Sequence, residues 1–376
     1  MANYKLLSSD SHVIEPPDLW EKRIDPMFKD RAPKLIHEED SDQWYADGDI
    51  RFGAIAVAGQ AGQRFEDPSK LTTKGRYEDL PAAGHDPHAH VRDMDVDGVS
   101  AGVMYPSQGN TVWGLPSNDL LSAIFRAYND WLSDFCNPYP DRLRGMAMIN
   151  VDDIVDAKSE MERASRLGLV GAIFPTQPLD HRYDHPIYEP LWQTAQDLEM
   201  PLSLHVGGVR SKVVLTAQEV ENLNGDSVLF ANDDMPMRVS LAALVLSGVF
   251  ERYPQLMVGA VEFELSWAPY FMRRLDDTYK DRVAGQVGHR YKDKDRLPSD
   301  FMRSNVYYSF QEDELGIELR HYMGVDNLMW GSDYPHGEST FPHSREVVDN
   351  ILQGVPHDEK VKVAGKNTAR LFRLPY

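Results

Sequence analysis

Asp10, His12, His205, Glu262, Asp333 and His336 are metal-seeking side chains that stand at the ends of short apolar runs spread along almost the whole chain. Imidazole mixed with carboxylate suits iron, manganese or zinc better than calcium or magnesium, which take shells of oxygen. A metal held this way can polarise a substrate or activate water. Ligands that arrive singly need a fold that gathers distant strand ends, and the parallel α/β barrel does so at the carboxyl ends of its strands.

Asp10 and His12 are two residues apart, so the period of a strand turns both to one face. His205 closes the run PLSLH and precedes Val206, Gly207 and Gly208, where the backbone leaves room for a ligand. Asp333, in LMWGSDYPH, follows a strongly apolar run where a carboxylate is costly unless paired or coordinating. It is a candidate metal ligand and a candidate catalytic proton acceptor. His336 either completes the shell, holds substrate or hydrogen-bonds loop backbone. Glu262, in LMVGAVEFELSW, reads as a ligand, and Glu264, of the same parity, as a structural carboxylate. Glu15, in HVIEPPDLW, is a further candidate ligand or the cap of the following turn. His85, His88 and His90 flank a helix start signalled by Asp86-Pro87, which suggests surface or helix-cap roles. Cys136, at the end of a helix-period segment, reads as a buried structural thiol.

Strand-like runs cover Tyr4 to Ser9, Gly98 to Pro106, Leu143 to Val151, Leu169 to Pro175, Pro201 to Val206, Leu256 to Glu262, Asn305 to Phe310 and Leu328 to Ser332. Between them, Asn118 to Cys136, Ile154 to Leu167, Ile187 to Glu199, Met235 to Phe250, Ser266 to Val283, Asp313 to Met323 and Ser344 to Leu352 carry apolar residues at three- and four-residue spacing. The expected fold class is therefore α/β, a distorted (β/α)8 TIM barrel forming one domain over 1–376. Residues 15–85 are too many for a barrel loop, and DQWYADGDIRFGA alternates like a hairpin, so this stretch reads as a lid inserted after strand one. The long segments Gly207 to Asp234 and Ala284 to Arg303 are candidates for substrate specificity.

The chain has 376 residues, 42% hydrophobic and 26% charged, with a formal charge of −20. Such an acidic balance argues against nucleic-acid binding, which needs basic patches. No basic-then-apolar leader and no long apolar window is seen, so a cytoplasmic chain without membrane attachment is expected.

SSDSH, EPPDLW, DMDVDGV, SLHVGG, VFERYP, VEFELSW and NLMWGSDYPHGESTFPHS together resemble the amidohydrolase-related family of the amidohydrolase superfamily, from residue 8 to beyond residue 340. The resemblance implies a metal site in a distorted TIM barrel, a homodimer, and hydrolysis, aromatic-acid decarboxylation or hydration as the activity. Two positions depart from it. Classical members carry HxH where this chain has Asp10-Ser11-His12, and the decarboxylase branch places a histidine after strand six where this chain has Glu262. DSHxxEPPDLW and GSDYPHxxST are also similar to a branch of TIM-barrel non-haem di-iron monooxygenases, those of platensimycin and platencin biosynthesis. That likeness implies two irons held by Asp10, His12, His205, Glu262 and Asp333 with His336 and Glu15, and O2 as co-substrate for hydroxylating a C–H bond. It further implies an external reductase, since no GxGxxG occurs, and a coenzyme A-linked substrate, possible contacts being Arg51, Arg64, Lys70, Lys74 and Arg76, if these are more than an exposed charged loop. The alternative is a mononuclear zinc or manganese hydrolase or decarboxylase with Asp333 as general base.

Overall fold

The first strand runs further than its apolar stretch suggests. In the computed structural model, which describes residues 4–211, 226–281 and 290–376, β1 spans Leu6–Val13 and is buried along its whole length. Asp10 and His12 thus lie inside the strand rather than beyond it. The chain then builds β2 (Lys34–His37), β3 (Asp42–Ala46) and β4 (Ile50–Ala54), a separate antiparallel sheet. The alternation in DQWYADGDIRFGA is the β3–β4 hairpin, whose buried Trp44 meets Trp20 edge-on with ring centroids 5.1 Å apart.

The main sheet resumes with β5 (Val99–Pro106), β6 (Leu143–Met148), β7 (Gly171–Ile173), β8 (Leu202–His205), β9 (Val258–Val261), β10 (Val306–Phe310) and β11 (Leu328–Trp330). With β1 these make an eight-stranded sheet in chain order, every pairing parallel. The ring is closed by the chain leaving β11. Ser9 Oγ donates to Trp330 O at 3.0 Å, Asp333 N to Asp10 O at 2.8 Å and His12 N to Tyr334 O at 2.6 Å. The expected (β/α)8 barrel is the fold observed.

Helices Asn118–Cys136, Ile154–Arg166, Glu189–Asp197, Asp234–Leu246, Trp267–Asp281 and Ser344–Ile351 match the spacing to within a few residues. The expected helix over Met235 to Phe250 is interrupted where Gly248 takes a left-handed φ of 73°, and it restarts at Val249–Arg252. The range Asp313 to Met323 is two short helices, Glu314–Glu318 and Arg320–Met323. The segment 284–303, read as loop, ends within the helix Pro298–Asn305, started by Pro298 at its first turn and by Asp300 accepting from Leu297 N at 2.9 Å. Residues 284–289 of that segment, and 212–225 of the other long one, lie outside the described residues.

Across the barrel interior, hydroxyls are chained beneath the strand ends. Tyr105 Oη lies 2.9 Å from Ser203 Oγ, which lies 3.0 Å from Tyr307 Oη. Tyr307 reaches across because β9 carries Gly259, where a Cβ would stand 2.2 Å from its ring. Cys136 is buried, as expected, and burial pushes its thiol pKa up.

His90 departs from its expected surface role. It is 1% exposed on the inner side of the helix Pro87–Asp97, edge-on to Tyr334, with Nδ1 donating to Ala83 O at 3.0 Å. Burial lowers its pKa from the ordinary 6.5 to about 4. Between those values the unfolded chain binds a proton that the folded chain refuses, so stability falls as pH falls from above 6.5 to 4. The loss amounts to about 3 kcal/mol. Denaturant unfolding of wild type and His90→Gln between pH 7.5 and 4 should show the wild type losing that much more than the variant. Parallel pH profiles would refute the assignment.

Candidate metal centre

Strand geometry brings the dispersed residues together. β1 turns Asp10 and His12 to the barrel axis, β8 delivers His205 at its last position, and the turns after β9 and β11 deliver Glu262 and Asp333. Those two carboxylates, with Glu264, have left-handed backbones (φ 66°, 57° and 54°), a conformation that costs side-chain-bearing residues about 1–2 kcal/mol and concentrates at functional sites. Such a turn at the strand end re-aims the side chain over the barrel mouth.

His12 Nε2 lies 3.3 Å from Asp10 Oδ1 and 3.2 Å from Asp333 Oδ1, and His205 Nε2 lies 3.4 Å from Asp10 Oδ1. Glu262 Oε2 is 3.4 Å from His205 Nδ1, and His336 Nδ1 is 2.9 Å from Asp333 Oδ1. Ligand atoms of Asp10, His12, His205 and Glu262 all fall within 4.8 Å of one another, as do those of His12, Asp333 and His336. Glu338 joins Glu262, Asp333 and His336 in a third such group. Nothing in the sequence reading marked Glu338. Its position two residues past His336 was the available signal.

The arrangement suits a cation. Asp10 Oδ2, His12 Nε2 and both oxygens of Asp333 are buried without a hydrogen-bond partner, an expensive state unless a ligand satisfies them. His12 Nδ1 donates to Pro106 O at 3.0 Å, which fixes the tautomer and leaves the Nε2 lone pair facing the cluster. Burial, then the charges of Asp333 and Asp10, push the Glu262 pKa well up. Burial acts on Asp10 in the same direction, but His205 and His12 outweigh it and hold that carboxylate below its ordinary range. Three carboxylates cannot share this space ionised unless a positive charge joins them, and a divalent ion supplies it.

Glu15 is not brought to this cluster. Its oxygens accept from Gln108 N at 2.9 Å and Gly109 N at 2.8 Å, so it ties the start of the β5 loop to the segment after β1. Glu15→Gln should cost about 1–3 kcal/mol of stability, because the new amide NH2 faces an N–H donor. Metal content should remain that of wild type, measured by elemental analysis after native purification. Loss of metal in the folded variant would restore Glu15 as a ligand.

The insert is fastened over the barrel mouth. Ala61 N donates to Pro335 O at 3.0 Å, and Arg64 makes a two-pronged pair with Glu312 at 3.0 and 3.1 Å. The cations considered for coenzyme A phosphates are engaged elsewhere: Lys70 with Asp67, Lys74 with Asp40, Arg76 with Asp42, and Arg51 with Gln43. Among the described residues, no helix is long and apolar enough to cross a membrane.

A family model described as Amidohydrolase matches residues 86–374. The chain belongs to the amidohydrolase family. This amidohydrolase is 26% identical over 279 residues to the gamma-resorcylate decarboxylase of Rhodococcus jostii, covering 70% of this chain and 80% of that one. Its fold is similar to that of an amidohydrolase from Mycobacterium avium subsp. paratuberculosis, at 20% identity and a TM-score of 0.79, covering 99% and 100% of the two chains. It is also similar to a dihydroxybenzoic acid decarboxylase from Polaromonas sp. JS666, a structure with bound manganese and the inhibitor 2-nitroresorcinol, at 19% identity and a TM-score of 0.65, covering 98% and 97%.

These relatives correct the expected activity. The curated amidohydrolase relatives are decarboxylases, not monooxygenases, and the metal carried by the solved decarboxylase is manganese, not a pair of irons. Oxidoreductase chemistry falls with that correction, and with it the two irons, O2 and the external reductase. The physical reason the sequence misled is that a carboxylate-rich ligand set is common to both chemistries. With Glu15 spent on backbone amides, one carboxylate fewer is available for a second ion.

Proposed function

We propose that the protein is a divalent-metal-dependent decarboxylase of an aromatic carboxylic acid, working with manganese or zinc. The observation that carries this reading is the buried, partnerless ligand set of Asp10, His12 and Asp333 at the barrel mouth, in a chain whose decarboxylase relatives align over most of its length. Asp10, His12, His205 and Asp333 would hold the ion, with Glu262 beside them. When bound, the cation supplies the positive charge that anchors an acid substrate and stabilises negative charge developing during reaction.

Loss of CO2 from an aromatic acid leaves a ring carbon that must take a proton as the carbon–carbon bond breaks. Asp333 would pass that proton to the ring carbon from a carboxyl oxygen. His336 stands behind it at 2.9 Å, and its Nε2 lies 2.9 Å from Ser107 Oγ, so protons can be resupplied from the partly exposed side. The fastened insert would limit bulk water at the reacting carbon, which favours charge stabilisation over hydrolysis.

The test is CO2 release from a panel of benzoic acids by protein loaded with Mn2+ or Zn2+ under argon. Chelator-sensitive, oxygen-independent CO2 release is expected; product formation that required O2 and a reductant would end this reading. Hydrolysis is the second reading, in keeping with the match to the Amidohydrolase family model. In it Asp333 takes a proton from water, and amide or ester cleavage by the same loaded protein would reveal it.

A further inference from the structure

We propose that Glu338 is the entry ligand of the metal centre: it takes a divalent cation from solvent, through a cavity at the edge of the insert, and hands it inward to Asp333 and His336. This rests on the metal-dependent reading above. The inner ligands are sealed from water, Asp10 and His12 being 1% exposed, His205 2% and Asp333 0%. A hydrated ion reaches such a site only along a path whose groups replace its water, and an entry path is a requirement of any metal site.

The path shows in the way the ligand groups overlap. The ligand atoms of His12, Asp333 and His336 lie within 4.8 Å of one another, and so do those of Glu262, Asp333, His336 and Glu338. Asp333 and His336 belong to both groups. They can keep hold of an ion while Glu338 gives way to His12. Exposure falls in the same order, from exposed Glu338, through His336 with 15% of its side chain exposed, to Asp333. Both oxygens of Asp333 are buried without a hydrogen-bond partner, so the inner end of the series has acceptors to offer a cation.

On its outer side Glu338 lines a cavity of about 370 Å3, together with Gly337 and with Gln60, Arg64 and Leu71 of the insert. Glu338 is thus common to the cavity and to the ligand groups. The insert's wall is braced, because Gln60 Nε2 donates to Thr72 O at 2.6 Å and Gln60 Oε1 accepts from Thr72 N at 2.9 Å.

Charge decides what this cavity draws in. Arg64 would repel a cation, but Glu312 answers its charge with contacts of 3.0 and 3.1 Å. Glu338 has no ion-pair partner among the described residues. The uncompensated charge of the cavity is therefore a carboxylate, which raises the local concentration of cations and speeds their capture. A carboxylate acting this way differs from a resident ligand. A resident ligand sets the affinity, whereas an entry ligand lowers the barrier in both directions and leaves the affinity nearly as it was.

The test follows Mn2+ exchange in the whole chain. Release is timed after mixing Mn2+-loaded protein with excess chelator, uptake after mixing chelator-stripped protein with Mn2+, and Kd is measured by calorimetric titration. Glu338→Gln keeps the shape and removes the charge. Uptake and release should both slow about tenfold, the low end of what charge steering contributes, while Kd stays within about threefold of wild type. Wild-type uptake should slow as salt is raised, and uptake by this variant should respond less. Glu338→Asp retains the charge and should keep most of the wild-type rate and its salt response. Exchange at wild-type rates in Glu338→Gln overturns the proposal. So does a Kd weakened about tenfold by faster release at unchanged uptake, which would make Glu338 a resident ligand. If the wild-type protein binds neither Mn2+ nor Zn2+, the metal-dependent reading falls and takes the inference with it; tight binding with unaltered exchange in the variant removes this inference alone.

Discussion

Asp333→Asn protein is expected to lose about 10³-fold in kcat, within the 10²–10⁴ that a positioned proton-transfer group contributes. A loss of that size is about 4 kcal/mol of transition-state stabilisation. The change is isosteric, and asparagine accepts a left-handed backbone such as the φ of 57° at this position, so the fold should survive. What is removed is the charge that faces His12 Nε2 at 3.2 Å and His336 Nδ1 at 2.9 Å. An asparagine amide can neither hold the transferable proton nor offer two anionic oxygens to a metal, so affinity for the ion should fall as well. Assays at saturating Mn2+ separate the two effects. Full kcat together with full metal content in this variant would remove Asp333 from the chemistry.

His12→Ala should abolish both metal retention and activity. In wild type, Mn2+ at about 1,000 times its Kd should stabilise the fold by about 4 kcal/mol over the chelated protein. The effect follows because the ion binds the assembled site and not the unfolded chain, in which Asp10, His205 and Asp333 are far apart. Without His12 the ion loses a nitrogen donor whose tautomer is fixed by Pro106 O, and Asp10 and Asp333 lose the ring that separates them. Thermal unfolding of the variant should therefore no longer respond to Mn2+, and its midpoint should lie below that of chelated wild type. A variant that kept one ion per chain at wild-type affinity would exclude His12 as a ligand.

Much of the frame was legible because it is written in local pattern. The run PLSLH could only be a short buried strand ending in a polar residue, and β8 ends at His205. The helix Asn118–Cys136 has the range its apolar spacing indicated. Other features depended on partners remote in sequence. Glu15 reads equally as ligand or cap until Gln108 and Gly109 present their amides to it. His90 sits in a polar stretch, and only the docking of its helix against Tyr334 and Phe135 buries it. The basic side chains of the insert read as free charges until the fold sets an acid or amide beside each.

The reaction was the least legible property. Asp10, His12, His205, Glu262 and Asp333 as a bare inventory suit oxygen chemistry and carboxylate chemistry alike, and the relatives decided against the first. What the sequence determined by itself was the barrel, the periodic faces of its strands and helices, and the identity of most of the residues that meet at its mouth, Glu338 excepted and Glu15 wrongly included. Those follow from backbone period and apolar burial, which act between near neighbours. Only the tertiary structure decided which atoms are left without partners, as where the closure of β11 onto β1 sets Asp333 against His12. Such vacancies are properties of long-range packing, since a donor or acceptor is unsatisfied only with respect to everything the whole chain brings around it.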